Sequence, residues 1–192
     1  MNTPIETDRL SRHIQVFDGA FSPELCQKML DSFHALARFQ RPNGRGVRPG
    51  HEDSGWTELN LDPLSDAAFR VMILENMHRH AALYNDALKL PIPIPMTDKI
   101  SELVMKRYRT TGEERFQLHF DSIGQVAHRY LVFLWYLNNV EVGGGTEFPE
   151  LDITVQAKAG RLVIFPPYWM FQHIGQKPVS NDKYILSTYF LF

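Results

Sequence analysis

The sequence predicts an α+β, mainly β fold: a strand-rich C-terminal half of sandwich or jelly-roll type, with two N-terminal helices packed on its outside. Three observations predict it. Aromatic residues are skewed, 16 of 23 lying in the last 93 positions. About eight short aromatic and β-branched runs, separated by Gly, Pro and Asn, crowd into the same 93 residues. Helical patterning is confined to the residues before Pro91.

The elements follow in order. His13 to Phe17 is a short extended run, and Asp18-Gly19 turns the chain. Ser22-Pro23-Glu24 starts a helix, with a hydroxyl N-cap, a proline at the first helical position and an acid in the first turn. It is predicted to run to about Ala37 and to bury Leu25, Met29, Leu30 and Phe33, with Cys26 as a small core filler. Arg41 to Gly50, dominated by Pro, Gly, Arg41, Arg45 and Arg48, reads as a mobile loop. A second helix is expected from a Ser65 N-cap to about Leu88, with Phe69, Met72, Met77 and Leu83 as its apolar stripe. Pro91, Pro93 and Pro95 end it and force extended backbone. Strands are expected at 102–109, 115–121, 129–137, 145–148, 153–156, 160–165, 170–174 and 183–192.

Composition narrows the function classes. A formal net charge of −2 on 192 residues excludes a strongly basic nucleic-acid footprint and an acidic disordered chain. A chain of this size buries roughly 70 % of its unfolded surface, so one domain over 1–192 is expected. Its N-terminal helical support would span about 14–95 and its jelly-roll core about 100–192. The single cysteine, Cys26, rules out an intramolecular disulfide and any cysteine-built zinc or iron–sulfur site. The longest apolar run, Tyr130 to Leu137, is far too short for a membrane span, and Met1 to His13 lacks an apolar leader segment. The expected compartment is the cytoplasm. Oligomeric state is not readable.

The chemistry gathers in the C-terminal half. Arg115-Phe-Gln-Leu-His-Phe-Asp121 alternates, which places Phe116, Leu118 and Phe120 on one face and Gln117, His119 and Asp121 on the other. An imidazole and a carboxylate so placed can ligate one metal; an amphipathic strand with a wet polar face has the same pattern. Of the two further histidines beyond residue 99, His128 suits a loop end. His173, after the aromatic turn Pro166-Pro-Tyr-Trp-Met-Phe171, is placed to point inward. Two histidines and one carboxylate make a facial triad, which suits Fe(II) with open positions; zinc fits the same donors, but no H-E-x-x-H helix supports a hydrolase. Lys183 enters an apolar strand on one face with Ile185, Ser187 and Tyr189. Such a lysine either reaches solvent or forms a fixed charge at the bottom of a pocket, holding a dicarboxylate.

These residues carry a resemblance. HFD at 119–121, RYLVFLWYLNNVEVGGGTEFP at 129–149, KAGRLVIFP at 158–166 and the His173-to-Lys183 spacing together resemble the 2-oxoglutarate, Fe(II)-dependent dioxygenases, in particular the prolyl 4-hydroxylase-like subgroup. IQVFDGAFSPELCQKML at 14–30 is similar to the N-terminal strand and helix of that subgroup. The resemblance implies a double-stranded β-helix with His119, Asp121 and His173 as iron ligands. It implies that Lys183 pairs with the distal carboxylate of 2-oxoglutarate, with Tyr108 assisting and Tyr136 and Thr146 as further contacts. Fe(II), 2-oxoglutarate as co-substrate and O2 are the implied cofactors, with ascorbate as an accessory reductant. The implied reaction is hydroxylation of a prolyl residue in a peptide or protein, with release of succinate and CO2. A free amino acid or other small molecule is the alternative substrate, and a non-catalytic jelly-roll binding module the alternative class. Asp121 at a metal position disfavours halogenation. Asn139, Gly145 and one extra residue between His173 and Pro178 depart from the subgroup pattern and bear on the substrate.

Other residues read more plainly. His51-Glu-Asp53 is a second H-x-D, but it lies in a Gly/Pro-rich loop and reads as solvated. His78 and His80 lie two apart on a helix and do not share a face. A minority reading makes 41–57 a lid, with Trp56 as an aromatic substrate contact. Trp169 and Tyr189 are further substrate-contact candidates, with Tyr168 and Phe171 as neighbours that line the mouth or cap the core.

Overall fold

The structure, a computed structural model, describes residues 8–47 and 49–192; Arg48 and the start of the N-terminal segment lie outside the described residues. The chain forms helix α1 (Asp8–Ser11), strand β1 (Gln15–Phe17), helix α2 (Pro23–Ala35), strands β2 (Arg41–Gly44) and β3 (Gly55–Asn60), and helix α3 (Ala67–Leu88). Eight strands follow: β4 (Val104–Tyr108), β5 (Phe116–His119), β6 (Arg129–Tyr136), β7 (Thr146–Phe148), β8 (Ile153–Val155), β9 (Leu162–Phe165), β10 (His173–Gly175) and β11 (Lys183–Leu191). They build a seven-stranded sheet in the order β1-β9-β6-β11-β4-β3-β2 and a four-stranded sheet in the order β5-β10-β7-β8. Every ladder is antiparallel, as a jelly roll requires. No helix among the described residues is long and apolar enough to cross a membrane.

Strand alternation sorts the apolar residues into two cores. On β6, Leu131, Phe133 and Trp135 join the core beneath the helices, while Val132, Leu134 and Tyr136 join the core between the sheets. On β11, Tyr184, Leu186 and Phe190 face the helices, and Ile185 and Tyr189 face the other sheet. Much of the C-terminal aromatic excess therefore seats the helices rather than walling a pocket. Trp135 shows how: its ring stacks on Phe21 at 5.1 Å, and its Nε1 donates to Asn76 Oδ1 at 3.2 Å.

Helix α2 is capped by the Ser22 hydroxyl, which accepts from the Leu25 N–H, and buries Cys26, Met29 and Phe33. Each large side chain so buried contributes roughly 1.5–3 kcal/mol. Helix α3 departs from expectation at its start. Its cap is Asp66, whose Oδ1 accepts from the Phe69 N–H at 2.8 Å, because the Ser65 N–H closes a turn onto the Leu61 carbonyl. Its buried stripe is Ile73, Met77, Ala81, Tyr84 and Leu88, and Leu83 is exposed.

The largest correction lies at 41–60. Arg41–Gly44 is not a loop but an edge strand paired with β3, which in turn pairs with β4. Pro42 is tolerated there because an edge strand can leave its missing N–H on the open side. The expected helical support at 14–95 thus also supplies three strands to the larger sheet. In the second half, residues 169–171 form a short 3-10 turn, and strand β10 starts only at His173.

Candidate active site

Strands β5 and β10 bring the two histidines together. His119 and His173 are register partners, with ring centroids 4.2 Å apart. The register shifts between His173 and Gly175, which pairs with Phe116. This bulge breaks the strict alternation expected for 115–121. Phe116 now shares the inner face with His119, their rings stacked at 3.7 Å, while Leu118 is turned to solvent.

Asp121 is not in the strand. The chain leaves β5 after His119, and the Asp121 and Ser122 N–H groups both donate to the Pro167 carbonyl at 3.0 Å. This turn folds the carboxylate back over the ladder. Asp121 Oδ1 lies 3.6 Å from His119 Nε2, and Oδ2 lies 3.6 Å from His173 Nε2. Both contacts are too long for hydrogen bonds. The outer nitrogens are committed elsewhere: His119 Nδ1 is 2.7 Å from the Gln117 carbonyl and His173 Nδ1 is 3.1 Å from the Phe171 carbonyl. A carbonyl accepts only, so each Nδ1 carries the proton and each Nε2 lone pair points at the space beside Asp121. Among the described residues these three are the one group of His, Cys, Asp and Glu placed to share a metal, their ligand atoms all within 4.8 Å of one another.

The electrostatics agree with a ligand set. Burial lowers the His173 imidazole to about 4, helped by neighbouring His119, so its lone pair is available at neutral pH. Burial alone would raise the Asp121 carboxyl, but the facing imidazoles hold it well below the usual carboxylate range. Donors of two imidazoles and one carboxylate on one side of a cation suit Fe(II).

Residues 103–191 match the model of the 2OG-Fe(II) oxygenase superfamily. They form a 2OG-Fe(II) oxygenase domain. Its cofactors are Fe(II), 2-oxoglutarate and O2, and His119, Asp121 and His173 fit the metal.

The dioxygenase is similar in fold to solved prolyl hydroxylases. Against a Pseudomonas putida prolyl-4-hydroxylase the TM-score is 0.67 at 19 % identity, covering 97 % of each chain. Against the viral collagen prolyl hydroxylase of Paramecium Bursaria Chlorella virus-1, solved with 2OG, it is 0.60 at 18 % identity, covering 92 % of this chain and 94 % of that one. A Trichoplax adhaerens prolyl hydroxylase, solved with a hypoxia inducible factor peptide fragment, gives 0.68 at 13 % identity, covering 96 % of this chain and 86 % of that one. No curated protein matches in sequence.

The remaining expected residues of the dioxygenase fall into three groups. Lys183, Tyr108, Thr146 and Tyr189 line the same cavity as the metal ligands. Lys183 is only 2 % exposed, so it does not snorkel to solvent. Its Nζ sits 4.7 Å from the Tyr108 ring centre, and burial pulls its ammonium down to about 7, with Lys106 adding to the effect. Burial pushes the Tyr108 hydroxyl up, so it stays protonated as a donor. Gly175 leaves room for Phe116: a Cβ there would lie 3.1 Å from Phe116 Cβ, with Lys183 Nζ in ordinary contact at 3.7 Å.

Tyr136 stands one step behind the cavity. Its hydroxyl shares a 2.6 Å hydrogen bond with Thr146 Oγ1 and lies 3.1 Å from the Val155 carbonyl oxygen. Tyr189 touches the metal ligand itself, donating to Asp121 Oδ1 at 2.9 Å. Trp56 is buried on β3 behind Phe116, with ring centres 4.7 Å apart, and its Nε1 donates to Glu58. Trp169 is 64 % exposed on the 3-10 turn that follows Pro167.

His51 is not the solvated residue expected. Its ring lies 5.4 Å from Phe116 and 6.2 Å from Trp56. The segment 50–55 is pinned to β5: Gln117 donates to the Gly50 carbonyl, and its Oε1 accepts from the Asp53 N–H and the Ser54 hydroxyl. Lys106, in the cavity lining, and Arg129, in the neighbouring cleft, escaped the sequence reading. Lys106 stands two residues before Tyr108 on the same strand, so alternation alone puts it on the Tyr108 face. Arg129 stacks over the Tyr189 ring at 4.0 Å and donates to the Asp121 carbonyl, a relationship no local pattern carries.

Proposed function

We propose that this dioxygenase hydroxylates an unactivated C–H bond of a prolyl residue in a peptide or protein, turning 2-oxoglutarate and O2 into succinate and CO2. The observation that carries the reaction is one cavity holding the His119, Asp121 and His173 ligands together with the buried ammonium of Lys183. Similarity of fold to prolyl hydroxylases supports the prolyl substrate.

When bound, Fe(II) supplies the activation of O2 and the oxidative decarboxylation of the 2-oxo acid. The chain's own residues do the rest. His119, Asp121 and His173 would hold the metal. Lys183 receives the distal carboxylate of 2-oxoglutarate, in surroundings where a charge pair counts for more than it does in water. Tyr108 stands over that ammonium as a protonated hydroxyl. Val132, Leu134 and Ile185 form the apolar wall that keeps water from this end. The exposed Trp169 follows Pro167, whose carbonyl accepts from the Asp121 and Ser122 N–H groups, which supports Trp169 as a peptide contact.

Anaerobic mixing with Fe(II) and 2-oxoglutarate tests the reading first: a visible metal-to-ligand charge-transfer band is expected. Proline-rich peptides should then release succinate and gain one oxygen atom. A band with inert peptides but oxidised free amino acids would replace the prolyl substrate; no band would remove the co-substrate assignment.

A further inference from the structure

Beside the metal cavity lies a cleft of about 240 Å³ whose lining includes His119 and Asp121. Its apolar members are Phe116, Leu118, Phe120, Ile123 and Val126, and Leu118 and Ile123 are exposed. Its polar side chains are engaged within the chain. Gln117 pins the segment 50–55, Arg129 bonds the Asp121 carbonyl and lies over Tyr189, and the His51 ring lies against Phe116. A peptide stretch of apolar, uncharged residues matches this lining, because it buries apolar surface and desolvates no charge of its own.

The chain carries such a stretch itself. Leu90-Pro-Ile-Pro-Ile-Pro-Met96 has no charge and a proline at every second place. Each proline fixes its own φ and holds the residue before it extended. Leu90 and Ile94 are anchors, half-buried against the core beneath the helices. Asn85 grips Ile94 at both backbone groups: its Oδ1 accepts from the N–H at 2.8 Å and its Nδ2 donates to the carbonyl at 2.9 Å. The Tyr130 hydroxyl donates to the Pro95 carbonyl at 2.8 Å. Between Leu90 and Ile94 the tip Pro91-Ile92-Pro93 stands out. Both prolines are exposed, Ile92 is 84 % exposed, and the Ile92 backbone makes no hydrogen bond to another described residue. A tip so pre-shaped loses little further conformational freedom on docking.

Its own metal site is out of reach. Leu90 and Ile94 pack on the core beneath the helices, whereas Val132, Leu134 and Ile185, which line the metal cavity, belong to the core between the sheets. Strands β6 and β11 separate the two cores. A cleft that receives this tip therefore belongs to another molecule.

We propose that Pro91-Ile92-Pro93 is a modification site, hydroxylated at a proline ring by a second copy of this chain. The inference rests on the dioxygenase reading above and names a substrate for that same site. One ring C–H bond breaks and a C–O bond forms in its place. One atom of O2 enters the hydroxyl and the other enters succinate, as 2-oxoglutarate loses CO2. The C–H bond and the 2-oxo acid each give up two electrons, and O2 takes up all four.

The test mixes two full-length proteins with Fe(II), 2-oxoglutarate and O2. Wild type is the catalyst. An isotopically heavy His119→Ala chain, checked for a native melting transition, is the acceptor; heavy Lys183→Met replaces it if it does not fold. Mass spectrometry of the heavy peptides should show one added oxygen atom within 91–93, at a rate that rises with catalyst concentration. Ile92→Asp in the acceptor should lower that rate about tenfold, since it brings a charge to an apolar cleft. Pro91→Ala combined with Pro93→Ala should abolish the gain. Oxygen gained only outside 91–93, gained equally without 2-oxoglutarate, or gained as fast by the Ile92→Asp acceptor overturns the proposal. An unmodified acceptor beside a wild type that forms the charge-transfer band with Fe(II) and 2-oxoglutarate overturns this proposal alone. Absence of that band overturns the dioxygenase reading, and the proposal with it.

Discussion

The Tyr189 hydroxyl donates to Asp121 Oδ1 at 2.9 Å, joining the last strand to the one carboxylate of the metal site. The Arg129 guanidinium lies over the Tyr189 ring and also bonds the Asp121 backbone carbonyl, so the aspartate is gripped at both ends. A ligand oriented in this way stays in place when the metal leaves, which lowers the cost of binding it again.

Tyr189→Phe should therefore weaken metal binding by about 10–100-fold while leaving the fold intact. Competition of Mn(II) against a chelator measures it. An unchanged affinity would reduce the hydroxyl to packing.

Removing a ligand should be harsher. His119→Ala, Asp121→Ala and His173→Ala are expected to lose the charge-transfer band formed with Fe(II) and 2-oxoglutarate. His51→Ala is expected to keep it, because His51 touches Phe116 and Trp56 rather than the ligand cluster. The visible spectrum of each variant separates the two H-x-D motifs.

Lys183 predicts two opposite pH trends. Burial lowers its ammonium from 10.5 to about 7, so between these values the unfolded chain binds more protons than the native one. Lys183 thus makes the ligand-free protein gain stability as pH rises from about 7 toward 10.5. Carboxylate binding needs the charged form, so 2-oxoglutarate affinity should fall as pH rises above 7, with proton uptake on binding. Calorimetry in buffers of different ionisation enthalpy reads the proton directly. Lys183→Met should cost about 2–5 kcal/mol of co-substrate binding without lowering thermal stability.

Gln117 is the pin of segment 50–55, bonding Gly50, Asp53 and Ser54. Gln117→Ala leaves the exposed Gly50 carbonyl and Asp53 N–H to water, while Ser54 Oγ keeps the backbone N–H of residue 117, so the cost is about 1 kcal/mol. Faster hydrogen exchange and protease cleavage confined to 44–55 are the expected signs. Unaltered exchange there would show that the β2–β3 pairing and the bonds of Arg115 to Asp53 and Gly55 hold the segment without it.

Local pattern was enough for much of this. The capping residues of α2, the eight C-terminal strands and the burial parity of β6 and β11 follow from period and punctuation in the sequence. His119, Asp121, His173 and Lys183 stand out in the sequence because H-x-D, an inward histidine and a lysine in an apolar strand are each unusual where they stand, and the structure lines one cavity with all four. Strand β2 was not legible, since Arg41-Pro-Asn-Gly44 has loop composition and pairs only because β3 lies beside it.

What the sequence determined by itself is therefore which residues carry charge, metal affinity and strand propensity, and how they alternate within an unbroken ladder. The tertiary structure decided where alternation stops. A bulge opposite His173 puts Phe116 beside His119, a bond to Pro167 folds Asp121 out of the strand, and the pairing of β3 with β4 brings Lys106 under Trp56. The reason is physical: side-chain parity is a local property of one strand, but the point at which it breaks is set by hydrogen bonds to partners some 50 residues away.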